Sequence, residues 1–314
     1  MSTYNLRHTT RYEYEGPVSD AHHVARLRPR RTEYQQVLVS DIEVKPKVNS
    51  VSTHLDYFGN ETDAIEVLEV HDCLEVNARS VVAVSPRPLA VSPPRDSIPW
   101  EEAALYLRGR ERSLRDFEFS LDSPLVRVHA MLSAYAAPSF AARLPLIDAV
   151  IDLNRRINTD FTYDPAATDT STPLAQVLRE KRGVCQDFAH VAIGCLRSLG
   201  LAARYVSGYL ETQPPPGQAR LVGADASHAW ASVYVPDLGW LDFDPTNNML
   251  PSERHITVAW GRDFSDVTPL KGMVLGGGAH TLTVGVDVEP RTVAGRSSSG
   301  GQSQRQTSSS GSGN

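Results

Sequence analysis

Apolar and polar residues alternate with a period near two through the first 90 positions of the chain. The alternation runs through Y-N-L-R-H-T-T-R-Y-E-Y from Tyr4, V-L-V-S-D-I-E-V-K-P from Val37, A-I-E-V-L-E-V from Ala64 and L-E-V-N-A-R-S-V-V-A-V from Leu74. Successive side chains of a strand point to opposite faces, so this period predicts half-buried strands, with Phe58-Gly59-Asn60 as a turn among them. Several short strands at this spacing predict a small antiparallel sandwich or barrel over residues 1–90.

The proline-dense run at 86–99, P-R-P-L-A-V-S-P-P-R-D-S-I-P, reads as a connector. Beyond it the apolar period lengthens to three and four. Helices are predicted over Trp100 to about Arg112, Ser123 to about Tyr135 and Pro145 to Ile157, the last with Ile147, Val150, Ile151 and Leu153 on one face. Pro173 opens a short helix that Gly183 ends. Phe188, Val191, Ala192, Cys195, Leu196 and Leu199 form one stripe, which predicts a helix starting at Cys185 and capped by Gly200.

Strands rich in β-branched and aromatic residues follow: A-R-Y-V-S-G-Y-L, A-W-A-S-V-Y-V and W-L-D-F-D, bounded by the turn signals P-P-P-G and P-D-L-G. I-T-V-A-W-G and T-L-T-V-G-V-D-V are expected to finish this second domain near residue 290. From about residue 292 Ser, Gly, Gln and Arg occur without an apolar period, which predicts a disordered tail over 291–314. The fold class is α+β, a small all-β domain followed by a helix-on-antiparallel-sheet domain over 91–290.

Composition narrows the function. A chain of 314 residues that is 41% hydrophobic and 22% charged is that of a soluble globular protein with room for two domains. A formal net charge of −6 gives no support for a nucleic-acid-binding surface or a polybasic membrane anchor. Arg26, Arg28, Arg30 and Arg31 form a short basic cluster flanked by strand-like sequence and are expected on a solvated edge. The first residues lack the apolar core of a secretory signal, and no run approaches the roughly 20 apolar residues of a membrane span. Three cysteines, an odd number, argue against a disulfide framework. A cytoplasmic location is the expectation.

The candidate chemistry lies in three segments: R-G-V-C-Q-D-F-A-H with Cys185, A-S-H-A-W with His228, and G-W-L-D-F-D-P-T-N with Asp244. A lone cysteine is ordinarily an inert buried side chain. Cys185 differs because it opens an amphipathic helix, where unpaired N–H groups and the helix dipole favour a thiolate, and it falls off the apolar stripe. Its own N–H is placed to donate to an oxyanion. Cys195 falls on the stripe and Cys73 lies among the early strands, so both read as structural.

His228 opens one strand and Asp244 closes the next after P-D-L-G. An antiparallel hairpin would bring them together with a modest register offset. Asp242 shares a face with Asp244, but Pro245 ends the strand there and leaves Asp244 at the open edge. A metal site from His228, Asp225, Asp242 and Asp244 is the competing reading. It lacks a second histidine at ligand spacing and any C-x-x-C, so no metal and no cofactor are expected.

In combination these three segments resemble the transglutaminase-like superfamily of papain-type Cys-His-Asp enzymes. The first 90 residues, with Y-N-L-R-H-T-T-R-Y-E-Y and D-Y-F-G-N, resemble the β-rich N-terminal region of its bacterial members, as does V-A-W-G-R-D-F-S-D-V-T-P-L-K-G. The resemblance implies a papain-like core with Cys185 as nucleophile, His228 as acid and base, and Asp244 as its orienting partner. It leaves the second oxyanion donor open, Tyr163 being one candidate, and places Trp230 and Trp240 in core or pocket wall.

Hydrolysis of amide bonds in a peptide or protein substrate is the expected activity, since the long insertions of protein-crosslinking members are absent. Transamidation to an amine uses the same triad. Acyl transfer from a thioester, as in arylamine acetyltransferases, and a non-catalytic peptide-binding module remain as alternatives.

Overall fold

The computed structural model describes residues 1–94, 97–109, 113–212 and 227–291. The expected tail from residue 292, the P-P-P-G turn and Asp225 lie outside them. Alternation in the N-terminal segment becomes the antiparallel strands β1 (Ser2–Ala25), β2 (Gln35–Lys45), β3 (Ser50–Leu55), β4 (Glu61–Val67) and β5 (His71–Val84). Along β1 the side chains of Tyr4, Leu6, His8 and Thr10 are buried, whereas Asn5 and Arg7 are exposed, as a period of two requires. The strands lie in the order β2-β5-β1-β4-β3.

The connector carries one helical turn, α1 (Pro88–Val91), before α2 (Trp100–Arg108) and α3 (Leu114–Phe117). A helix from Ser123 does not form. Ser123 and Val126 exchange backbone hydrogen bonds in a turn and Asp263 Oδ2 takes the Leu125 N–H at 2.8 Å, so α4 (Ala130–Ala136) begins seven residues later. α5 (Leu146–Asp160) buries Ile147, Val150 and Leu153 of the expected face and leaves Ile151 half-buried. The two-residue strand β6 (Thr162–Tyr163) pairs in parallel with β7 (Arg182–Gly183), and α6 (Leu174–Glu180) lies between them.

α7 (Cys185–Ser198) is the central helix. Phe188, Ala189, Val191, Ala192, Ile193, Cys195 and Leu196 are all buried, so its apolar face wraps most of its circumference. It packs against β8 (Ala203–Leu210) and β9 (Ser227–Val235) in a four-stranded antiparallel sheet with β10 (Gly239–Phe243) and β11 (His255–Gly261), in the order β10-β9-β8-β11. After the short α8 (Phe264–Val267) come β12 (Leu270–Gly276) and β13 (His280–Pro290). The fold is α+β: a β-rich N-terminal region, then helices against an antiparallel sheet.

Two expectations fail. The T-L-T-V-G-V-D-V strand does not complete the second sheet. β13 runs antiparallel to β1 from Tyr4↔Pro290 to Tyr14↔His280, and β12 flanks the second half of β1 from Val18↔Gly276 to Ala25↔Leu270. Alternation marks a strand but not its partner. Val286 and Val288 bury with Tyr4 and Leu6, and one core extends from that sheet into α5 and α7.

The basic cluster is not a solvated edge either. Arg28 grips the buried Asp63 carboxylate with two bonds of 2.7 and 3.0 Å, and Arg26 pairs with Asp56 at 3.0 Å. Arg30 donates to Asn60 Oδ1 at 2.7 Å and lies 3.6 Å from the Trp260 ring; Arg31 alone of the four is exposed. The Asp56 and Asp63 carboxylates and Asn60 draw the three stems inward, and the two charges offset much of the desolvation cost. Among the described residues no helix is long and apolar enough to cross a membrane.

Candidate active site

Cys185 is the first residue of α7 and follows an ordered turn. The Asp187 carboxylate accepts the Val184 N–H at 2.8 Å and the Thr168 hydroxyl at 2.7 Å, which satisfies one of the helix's orphan donors and fixes the entry angle of the chain. A Cβ on Gly183 would sit 2.4 Å from Asp187 Oδ2, so only glycine leaves room for this cap. Cys185 is half-buried at the edge of the main core, unlike the fully buried Cys195 further along the helix.

His228 and Asp244 come from the β9–β10 hairpin. The ladder aligns Asp242 with Ser232 and Phe243 with Ala231, so a continued strand would set Asp244 opposite Trp230, two residues short of His228. The chain leaves the ladder at that point. Asp244 instead exchanges backbone bonds with Met249 at 2.8 and 3.3 Å, and its side chain turns to His228. His228 Nε2 donates to Asp244 Oδ2 at 2.7 Å. The Cys185 side chain lies close enough to the His228 ring to help raise the imidazole, on which Nε2 is already committed to Asp244. Sulfur, imidazole and carboxylate are therefore in series.

Asp244 is fully buried and receives five donors. Oδ1 takes the backbone N–H groups of Thr246 and Asn247 at 2.9 and 3.1 Å. Oδ2 takes His228, Asn247 Nδ2 at 2.8 Å and His255 Nε2 at 3.1 Å. Burial would raise its carboxyl, but the hydrogen bonds from both imidazoles hold it well below the usual carboxylate range. Burial would likewise lower His228, yet the bonds to Asp244 and Cys185 and their charges push it up to about 10. Both influences favour the cationic imidazole.

Asp242 faces elsewhere: its Oδ2 accepts Trp230 Nε1 at 3.1 Å and an ion pair from Arg87. Of the two carboxylates, Asp244 alone reaches His228. Cys195 is fully buried in α7, where burial pushes its thiol up, and Cys73 is half-exposed on β5. Tyr163 is more than half exposed and pairs through its backbone with Gly183, close enough for a charge on Cys185 to add to burial in raising its phenol.

The sequence reading missed His255. It opens β11, on the far edge of the sheet from β10, so neither spacing nor strand order points to Asp244. Gly208 on the intervening β8 makes the contact possible. A Cβ there would lie 2.1 Å from the Ile256 carbonyl and 2.6 Å from the Trp230 ring, so a bare backbone lets Trp230 cross the sheet to within 5.2 Å of the His255 ring. The one signal in the sequence is a histidine opening an otherwise apolar strand.

His255 also overturns the argument that no second histidine stands near. Nε2 of His228, Oδ2 of Asp244 and Nε2 of His255 lie within 4.8 Å of one another, a donor set of zinc-ligand type. A cation held there would displace the hydrogen bonds at 2.7 and 3.1 Å that these same atoms now make. A cavity of about 340 Å³ opens beside the first turn of α7, with Arg127, His129, Thr170 and Gln186 among its walls.

Comparison with known proteins follows the same division of the chain. Residues 4–83 match the bacterial transglutaminase-like N-terminal region, and residues 134–245 match the transglutaminase-like superfamily. An uncharacterized protein of Mycobacterium tuberculosis (strain H37Rv) is 41% identical over 293 residues, covering 91% of this chain and 92% of that protein. A protein-glutamine gamma-glutamyltransferase of Pseudomonas aeruginosa is 33% identical over 92 residues, which is 29% of this chain and 14% of that protein. A solved structure from Cytophaga hutchinsonii, provisionally described as a cysteine protease, superposes with a TM-score of 0.70 over 94% of this chain and 91% of its own. At 19% identity it shows a shared fold.

Proposed function

The chain belongs to the transglutaminase-like superfamily, and from its Cys185–His228–Asp244 geometry we propose that it is a cysteine-nucleophile enzyme that hydrolyses amide bonds in peptides or proteins. The observation that carries this reading is the position of His228, close enough to Cys185 to be raised by it and hydrogen-bonded to the buried Asp244 carboxylate.

In the proposed cycle the Cys185 sulfur attacks the amide carbonyl as a thiolate, with the cationic His228 beside it as counter-ion. The Cys185 N–H, at the start of α7, donates to the oxyanion of the tetrahedral intermediate. His228 then gives its proton to the departing amine, leaving an acyl-thioester. Water, deprotonated by the now neutral His228, attacks that thioester, and the C–S bond breaks to release a carboxylic acid and restore the Cys185 thiolate beside the protonated His228. Asp244 holds the ring in place throughout.

Water is the proposed acceptor because Cys185 and His228 both retain exposed surface. The local likeness to a gamma-glutamyltransferase favours a second reading, in which a primary amine takes the acyl group. Three free cysteines suit the reducing cytoplasm that we propose as its location.

The test is digestion of a peptide library with and without an added primary amine, read by product mass. Free-acid products that disappear by at least about 10³-fold in Cys185→Ala support hydrolysis. Products heavier by the amine less water move the assignment to transamidation. Full activity in Cys185→Ala would overturn both.

A further inference from the structure

A second site lies on the same sheet face as Asp244, where the connector and the β1–β2 loop cover the β8–β11 sheet. A cavity of about 280 Å³ there has walls from all three, among them Tyr34, Arg87, Leu89, Arg204, Trp240 and Trp260. Arg204 decides its character. Its side chain is more than nine-tenths buried, and its guanidinium carbon lies 4.2 Å from the Trp240 ring and 3.9 Å from the Trp260 ring. Stacking between indoles accounts for the two flat faces of the cation. The edge, which carries the donors, is another matter: among the described residues Nε of Arg204 has no hydrogen-bond partner, and neither does Nε of Arg87 beside it.

Among the described residues the charges do not balance. Arg30, Arg87 and Arg204 meet here; Asp56 acts on Arg30 but is paired with Arg26, and Asp242 has its Oδ2 already taken by Arg87 and Trp230. Arg204 feels Asp242 and, more weakly, Asp116, and both are opposed by Arg30 and Arg87. Burial lowers Arg204 to about 9, so it stays charged at neutral pH. Glu33, at the rim, is exposed. Buried donors without acceptors are costly in a folded chain, and a forked guanidinium matches a carboxylate in shape. Leu89, Leu241 and Pro251 with the two indoles form an apolar side, while Thr257 and Asp242, both engaged by Arg87, line the polar one.

We propose that this cavity binds a small organic carboxylate, its oxygens received by Arg204 and Arg87 and its apolar body by the Trp240–Trp260 side. The site is separate from the acyl-transfer residues and does not depend on the reading of their chemistry.

The four tryptophans give a direct test in the intact protein. In ¹⁵N-labelled protein titrated with hexanoate, the indole N–H signals of Trp240 and Trp260 are expected to shift saturably in the millimolar range. Trp100, on α2 away from the cavity, is expected to stay in place, and the neutral analogue hexanamide is expected to shift none of them. Arg204→Met should weaken hexanoate binding by about tenfold or more. Should that variant fail to fold, Arg204→Lys, which keeps the charge and loses the fork, should weaken it several-fold. Equal binding of hexanamide, a response at Trp100 matching that at Trp240, or unchanged affinity in a folded Arg204 variant would overturn the proposal. Inorganic phosphate binding as tightly as hexanoate would overturn the assignment to an organic carboxylate.

Discussion

Replacing Asp244 with asparagine tests the electrostatics on which the site rests. The substitution keeps the shape of the side chain, so the backbone donors of Thr246 and Asn247 retain an acceptor, but the two imidazoles lose the charge they share. In the native protein His228 is pushed up to about 10 from an ordinary value of 6.5, a rise of 10 − 6.5 = 3.5. At about 1.36 kcal/mol per unit this corresponds to roughly 5 kcal/mol, the net of what Asp244 and Cys185 add and what burial takes away. Breaking one partner out of a buried pair costs about 3–5 kcal/mol by general experience, so the two routes agree. With the carboxylate gone burial dominates, and the His228 midpoint should fall below 6.5.

The sign of the stability change follows from the same shifts. His228 is raised on folding, so its contribution is complete below pH 6.5 and is lost as pH climbs toward 10. Asp244 is depressed, so its contribution is present above 3.8 and is lost as pH falls toward its folded value. The pair therefore stabilises the fold most between about pH 4 and 6.5, and Asp244→Asn should flatten that maximum. The assay is urea unfolding across pH for both proteins, with ring NMR titration of His228. A native His228 midpoint near 6.5, or one that Asp244→Asn leaves in place, would refute the reasoning.

Three further outcomes are expected. Iodoacetamide at neutral pH should modify Cys185 before Cys73 and reach Cys195 last, since Cys195 is fully buried and its thiol raised; peptide mapping reads the order. His255→Phe removes one donor from Asp244 and should cost about 1.5–3 kcal/mol in urea unfolding, with His255→Gln, which can still donate, costing less. Gly208→Ala places a methyl 2.1 Å from the Ile256 carbonyl and should destabilise by about 3 kcal/mol or more; an unchanged urea midpoint would show that Trp230 does not lie across β8.

Local signals carried the sequence reading as far as local physics reaches. The stripe from Phe188 to Leu196 located α7 with Cys185 at its first position, and P-D-L-G located the β9–β10 hairpin, from which the meeting of His228 and Asp244 could be expected. Separating Asp244 from Asp242 needed only Pro245. What escaped depends on partners distant in the chain. His255 meets Asp244 because Gly208, on a third strand, clears the way. The arginines near residue 28 are drawn inward by Asp56 and Asp63, some 30 residues away, and no alternation of apolar positions encodes that choice. Likewise β13 has the pattern of any strand, and its pairing with β1 follows from where its valines find a core.

That last pairing has a consequence for how the chain is made. Strand β1 is made before every strand that flanks it, and its two long edges are satisfied only when β5 and β4 on one side and β13 and β12 on the other have joined it. At a synthesis rate of about 5–20 residues per second, the interval between Ala25 and Pro290 is on the order of tens of seconds. For that time one edge of β1 is open to any strand that passes. This sheet therefore closes only after the second sheet's strands have been made, and loss of β13 would leave that edge of β1 exposed.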